Sequence, residues 1–238
     1  MTIPLRREAA PLRAQAVAVL RQQIVSGAYR PGERLVEKRL EQDLGVSRTV
    51  IREALRQLES QQLITLKPNV GPIVTVLTAE NATHLYQVRA ALEGTAARLA
   101  AEHATAEDVS SLRALIERFR VAGESGEPER LVTTKDEFYA ALVAAAGNPV
   151  IEEMLGNVQA RISLLRAYTL EVPGRATQSH AELSAVIDAI EARHPDLAES
   201  RTREHVRAAQ AIALTHFAEA PPAAGAAPHT TTPPEATA

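Results

Sequence analysis

The stretch Gly45-Val-Ser-Arg-Thr-Val-Ile-Arg-Glu-Ala-Leu55 reads as a tight turn followed by a helix with two differently employed faces. Ile51, Ala54, Leu55 and Leu58 recur at i, i+3, i+4 and i+7, the spacing that seats a helix on a core. Arg48, Arg52 and Arg56 recur every four residues on another face, where guanidinium groups can reach phosphates or the O6/N7 edge of guanine. Ser47 is suited to cap the helix, and Gly45 lets the chain turn just before it. The preceding segment, Leu35 to Leu44, has the pattern of a shorter amphipathic helix, which completes a helix-turn-helix. A solvated basic face would show the same arginine spacing, so the flanking elements must decide between the two readings.

They favour DNA binding. Val17, Leu20 and Ile24 give an earlier helix its apolar stripe, and Gly27 with Pro31-Gly32 ends it. After Leu58 come two β-rich runs, Leu63 to Leu66 and Ile73 to Val76, separated by Lys67-Pro-Asn-Val-Gly-Pro72. Three helices followed by a hairpin make a winged helix over residues 10–77. Beyond Val76 the period changes to helical, with breaks near 104–107, Gly123 to Pro128, Gly147-Asn-Pro149, Val172-Pro-Gly174 and His194-Pro195. The spacing predicts about six helices over residues 78–219, packed as an antiparallel bundle because alanines abound and only 3% of residues are aromatic. The expected fold class is therefore mainly α. Residues 1–9 read as an N-terminal arm and 220–238, rich in Pro, Ala and Thr, as a disordered tail.

The net charge of -3 hides an asymmetry. Residues 1–77 carry 12 Lys+Arg against 7 Asp+Glu, whereas the remainder carries 14 against 22. A basic head and an acidic body dock on a polyanion through one end. The absence of cysteine excludes disulfides and thiolate metal sites. No apolar run approaches the ~18 residues that span a membrane, and no secretory leader is visible, so a cytoplasmic protein without membrane partners is expected. None of HExxH, GxSxG, GxGxxG or a Walker loop occurs, which argues against an enzyme.

The run "IVSGAYRPGERLVEKRLEQDLGVSRTVIREALRQLESQQLI" resembles the DNA-binding domain of GntR-family bacterial transcriptional regulators. Carried over position by position, the resemblance implies contacts to double-stranded operator DNA from Lys38, Ser47, Arg48, Thr49 and Arg52. It also implies contacts from a wing around Asn69 to Gly71, with Lys67 supplying charge. Val70 and Pro72 depart from the usual wing pattern, the former standing where a basic residue is common.

"LYQVRAALEGTAARLAA" (85–101), "FYAALVAAAGNPVIEEML" (138–155), "HAELSAVIDAI" and "REHVRAAQ" resemble the FCD effector domain of the FadR-type subfamily. That likeness implies a homodimer, most often a repressor, whose bundle encloses a small-molecule pocket. Many members hold a divalent metal there with one Asp and three His, and the metal grips a carboxylate. Here His180 and His205 stand at two histidine positions, but Lys135 and Tyr139 replace the Asp and the remaining His. No metal or other cofactor is therefore expected, and His180 and His205 are a remnant of the ligand set. Lys135 is read as a fixed positive charge in the metal's place, so that an anionic effector, a small carboxylate, binds Lys135, Tyr139, His180 and His205 directly, with Arg89 a further candidate. Two alternatives remain open: a constitutive or architectural DNA-binding dimer without effector, and a metal-dependent sensor. Arg89 and Glu93 read most simply as an intrahelical ion pair.

Overall fold

The computed structural model describes residues 9–170 and 172–219. The expected tail, and all of the expected arm but Ala9, lie outside the described residues. Helices α1 (Ala9–Val25), α2 (Glu37–Leu44) and α3 (Arg48–Ser60) precede an antiparallel hairpin, β1 (Ile64–Lys67) with β2 (Gly71–Val74). Leu20 and Ile24 of α1, Leu40 of α2, and Ile51, Ala54 and Leu58 of α3 share one apolar core with Leu63, Ile64 and Val74. Gly45 ends α2 at φ 63°, a left-handed conformation that glycine adopts without strain.

The hairpin pairs Ile64 with Val74 and Lys67 with Gly71, so it starts and ends one to two residues away from the sequence expectation. The shift has a physical cause. The segment before α2 pairs with β2 as well: Leu35 N–H donates to the Pro72 carbonyl at 2.9 Å, and Val74 N–H donates to the Glu33 carbonyl at 2.9 Å. Those bonds draw Gly71 and Pro72 into the ladder and delay α2 until Glu37, although the apolar pattern begins at Leu35.

Six helices follow: α4 (Ala79–His103), α5 (Ala106–Ser125), α6 (Pro128–Ala145), α7 (Pro149–Leu170), α8 (Arg175–Glu191) and α9 (Pro195–Glu219). Their ends fall at the expected breaks. Thr105 and Asp108 form a reciprocal capping box at the start of α5, and Gly126 at φ 69° ends it. Helices α4 and α9 pack along most of their lengths, where Ala97, Ala100 and Ala101 keep the side chains of α4 short. Among the described residues no helix is long and apolar enough to cross a membrane.

The two cores are not separate. Ala160 of α7 is buried among the winged-helix residues, and Val25 of α1 is buried in the bundle cluster. Arg161 donates to Gln62 just past α3, a side-chain tie between the two parts.

Candidate functional site

The first site is the face of the helix-turn-helix. Ser47 Oγ accepts the Val50 N–H at 3.4 Å, which caps α3 and fixes its phase on the core through Ile51, Ala54, Leu55 and Leu58. By that phase Ser47, Arg48, Thr49 and Arg52 are exposed, as is Lys38 on α2. Glu37, in the first turn of α2, accepts the Nε–H of Arg48 at 3.2 Å and that of Arg52 at 3.2 and 3.4 Å. The sequence reading missed Glu37. It lies eleven and fifteen residues from its partners, and only the crossing of α2 over α3 joins them. Arg56 pairs along its own helix with Glu53 at 2.6 Å.

In the wing, Lys67 ends β1 and is exposed, and Asn69 takes the left-handed conformation at φ 62° at the tip. Gly71 opens β2 at φ 99°. Val70, 40% exposed, leaves an apolar side chain at the tip.

The second site is a charge cluster in the bundle interior. Arg89 and Glu93 of α4 form a fully buried ion pair at 2.9 Å. Burial alone would lower the Arg89 pKa, but the Glu93 carboxylate outweighs it and raises it. Arg166 of α7 bonds Asp136 of α6 and approaches Glu93 at 3.4 Å. Arg175 of α8 makes a bidentate pair with Glu182, both bonds 2.8 Å. Three guanidinium groups thus meet three carboxylates.

Lys135 of α6 is the unmatched charge. It is buried, and its Nζ donates to Ser179 Oγ at 3.1 Å, with no ion-pair partner among the described residues. Burial first, then Arg175, Arg166 and Arg89, hold its pKa well below the usual lysine range. The three arginines around it are the permanently charged groups of the cluster.

Tyr139 sits one turn further along α6. Arg166 stacks over its ring with Cζ 4.2 Å from the centroid, and Arg89 lies at 5.8 Å. Burial, then Glu93, raises the Tyr139 pKa, yet its hydroxyl has no hydrogen bond of good geometry among the described residues. His205 of α9, its ring 6.4 Å from that of Tyr139, places Nδ1 2.5 Å from Glu182 Oε2. Burial, with Lys135 next, pushes the His205 pKa down to about 3, so the imidazole is neutral. A neutral ring that donates from Nδ1 to Glu182 keeps a lone pair on Nε2, and that atom is buried without a partner among the described residues. For Glu182, burial would raise the pKa, but the His205 and Arg175 bonds prevail and hold it at about 2.

Lys135, Tyr139, His205 and Arg89 therefore converge, and His180 does not. α8 turns Arg175, Ser179 and Glu182 inward at i, i+4 and i+7, and one residue beyond Ser179 is rotated by about 100°. His180 is half-buried and lies toward Glu117 of α5, whose pKa is lowered chiefly by Arg120 and slightly by this ring. The divalent metal implied by the resemblance does not fit these residues. His205 is the single imidazole in the cluster and its Nδ1 is engaged. Three guanidinium groups crowd the remaining space, and no group of three or more His, Asp or Glu suited to a metal occurs among the described residues.

Comparison with known proteins agrees with this division of the molecule. Residues 12–74 match the bacterial regulatory proteins of the gntR family, and residues 84–208 match the FCD domain. A probable D-xylose utilization operon transcriptional repressor of Paenarthrobacter nicotinovorans is 30% identical over 78% of this chain and 81% of its own. The HTH-type transcriptional regulator YdhC of Bacillus subtilis is 28% identical over 82% of this chain and 88% of its own. The solved structure of E. coli McbR/YncC superposes with a TM-score of 0.77 at 26% identity, covering 87% of this chain and 98% of that one. Since the capped arginine helix with its wing and the six-helix bundle are matched in the order in which they follow along the chain, the chain belongs to the GntR family of DNA-binding transcriptional regulators, proteins that are not enzymes, and carries an FCD domain behind its winged helix.

Proposed function

We propose that this regulator is a repressor that binds operator DNA as a homodimer, reads bases through Arg48 and Arg52, and is controlled by a small carboxylate bound in the bundle without a metal. The observation that carries the sensor half is Lys135, a buried lysine with no ion-pair partner among the described residues, beside the Tyr139 hydroxyl, which lacks a hydrogen bond of good geometry, and His205 Nε2. An uncompensated charge in a core is costly, and a carboxylate would complete the set at one step. With Lys135 charged, four cations face three carboxylates and the ligand.

The link to the reader is short. Arg166 belongs to the cluster and Ala160 to the winged-helix core, six residues apart on α7 or about 9 Å along its axis. Dimerisation doubles the bases read, because one recognition helix covers only a few. The surface we assign to it is apolar and exposed: Val88 on α4 with Val150 and Met154 on α7.

The test is a calorimetric screen of small carboxylates, sugar acids and amino acids against the full chain and its Lys135→Met variant, followed by operator binding with each compound that binds. A carboxylate that binds the wild type and not the variant, and shifts operator affinity, supports the reading. Silence of every compound in both would leave a constitutive DNA-binding dimer.

A further inference from the structure

The Glu37 carboxylate is the unusual group on the DNA-facing surface. A negative side chain there repels phosphate, and its removal would strengthen binding to any duplex. Yet it is half-buried, with 26% of its side chain exposed, and it accepts the Nε–H of both Arg48 and Arg52. Those two guanidinium groups stand one helical turn apart, where they repel each other. Glu37 bridges them. With both Nε edges occupied, each arginine has its two terminal amines left to offer, which is the pair of donors that matches guanine O6 and N7. An arginine without this tether could swing to the phosphates and bind every sequence alike.

We infer that Glu37 is a specificity-determining positioning residue: it aims Arg48 and Arg52 at guanine edges and, by its own charge, lowers affinity for all other DNA. The inference rests on α3 being the base-reading helix. A second consequence follows from charge alone. Since one acidic group is removed from the phosphate-facing surface, Glu37→Gln should bind random duplex several-fold more tightly and steepen the salt dependence, raising the magnitude of the log–log slope by up to about 1.

The experiment uses the full chain and a duplex selected by it from a randomised pool. Binding is measured against that duplex, the same duplex with each half-site guanine replaced by adenine, and a random duplex, at several salt concentrations. For Glu37→Gln we expect discrimination between guanine and adenine to fall about tenfold while random-duplex affinity rises, and Glu37→Asp to restore part of the discrimination. Glu37→Gln in an Arg48→Ala/Arg52→Ala background should cost no further discrimination. Unchanged discrimination in Glu37→Gln overturns the inference, as does an equal loss of affinity for all three duplexes, which would mark a merely structural role. If Arg48→Ala and Arg52→Ala themselves leave discrimination intact, the base-reading assignment of α3 fails first, and the two failures are thereby told apart.

Discussion

At the scale of single residues, Lys135 illustrates how a buried cation can oppose stability. Its folded pKa lies below that of an unfolded lysine, so as pH falls below the unfolded value the unfolded chain binds the proton more readily and is favoured by it. Lys135→Met should therefore raise stability, by about 1–3 kcal/mol as in other replacements of buried charge by apolar groups. On the proposed function the same change should abolish anion binding. Denaturant melts paired with calorimetry check both, and a destabilised variant would show that Lys135 is already satisfied in the free protein. His205 gives a sign that can be worked out. Its pKa is about 3 in the fold against 6.5 unfolded, so its contribution is complete above pH 6.5 and is lost as pH falls toward 3. Between pH 7.5 and 5 the wild type should lose about 2 kcal/mol more than His205→Gln. Parallel curves would mean that the ring is charged in the fold. Glu182 adds a loss of the same sign only below its unfolded pKa of 4.5, outside that interval.

At the scale of elements, the helices were legible because their signals are local. Ser47 and Gly45 mark ends by the chemistry of the cap itself, the breaks near 104–107 and at Gly123 to Pro128 contain the caps Thr105 and Gly126, and the Ala-rich face of α4 announces close packing. Ser47→Ala should cost about 1 kcal/mol and loosen the N-terminus of α3. Ala100→Leu, placed where α4 has no exposed surface, should cost about 1–3 kcal/mol through overpacking. Thermal melts of the two variants test both figures, and a neutral Ala100→Leu would reveal unfilled space. The cluster was only half legible. Lys135, Tyr139 and His205 could be placed through the resemblance, and Arg89 through its spacing to Glu93. Arg166, Arg175, Ser179 and Glu182 come from other helices, and nothing in the sequence states how α7 and α8 are rotated about their axes. A phase error of one residue is enough to exchange Ser179 for His180. Glu37 was missed for the same reason: its partners are brought to it by a crossing, not by a period. The strand ends moved because a third segment, Gly32 to Leu35, pairs with β2, and no alternation in the sequence reveals a partner.

At the scale of the whole molecule, winged helix and bundle are joined by packing. An effector can shift operator affinity only by its differential affinity for the two dimer states, and couplings of this kind are typically about 5–150-fold. Met154→Glu should convert the proposed dimer to monomer at micromolar concentration and reduce operator affinity without altering the melting of the monomer. Sedimentation analysis and a binding titration would decide it, and a Met154→Glu dimer would move the interface elsewhere.

Val25 reaching into the bundle and Ala160 reaching into the winged helix bear on inheritance. The seam at residue 77 is a boundary of sequence motifs only. A head exchanged by recombination at that point arrives with a valine whose seat was built by other helices, and leaves behind an alanine with no matching hollow. Heads and bodies of such regulators should consequently descend as matched pairs, and a viable chimera would take α1 and the middle of α7 from one parent.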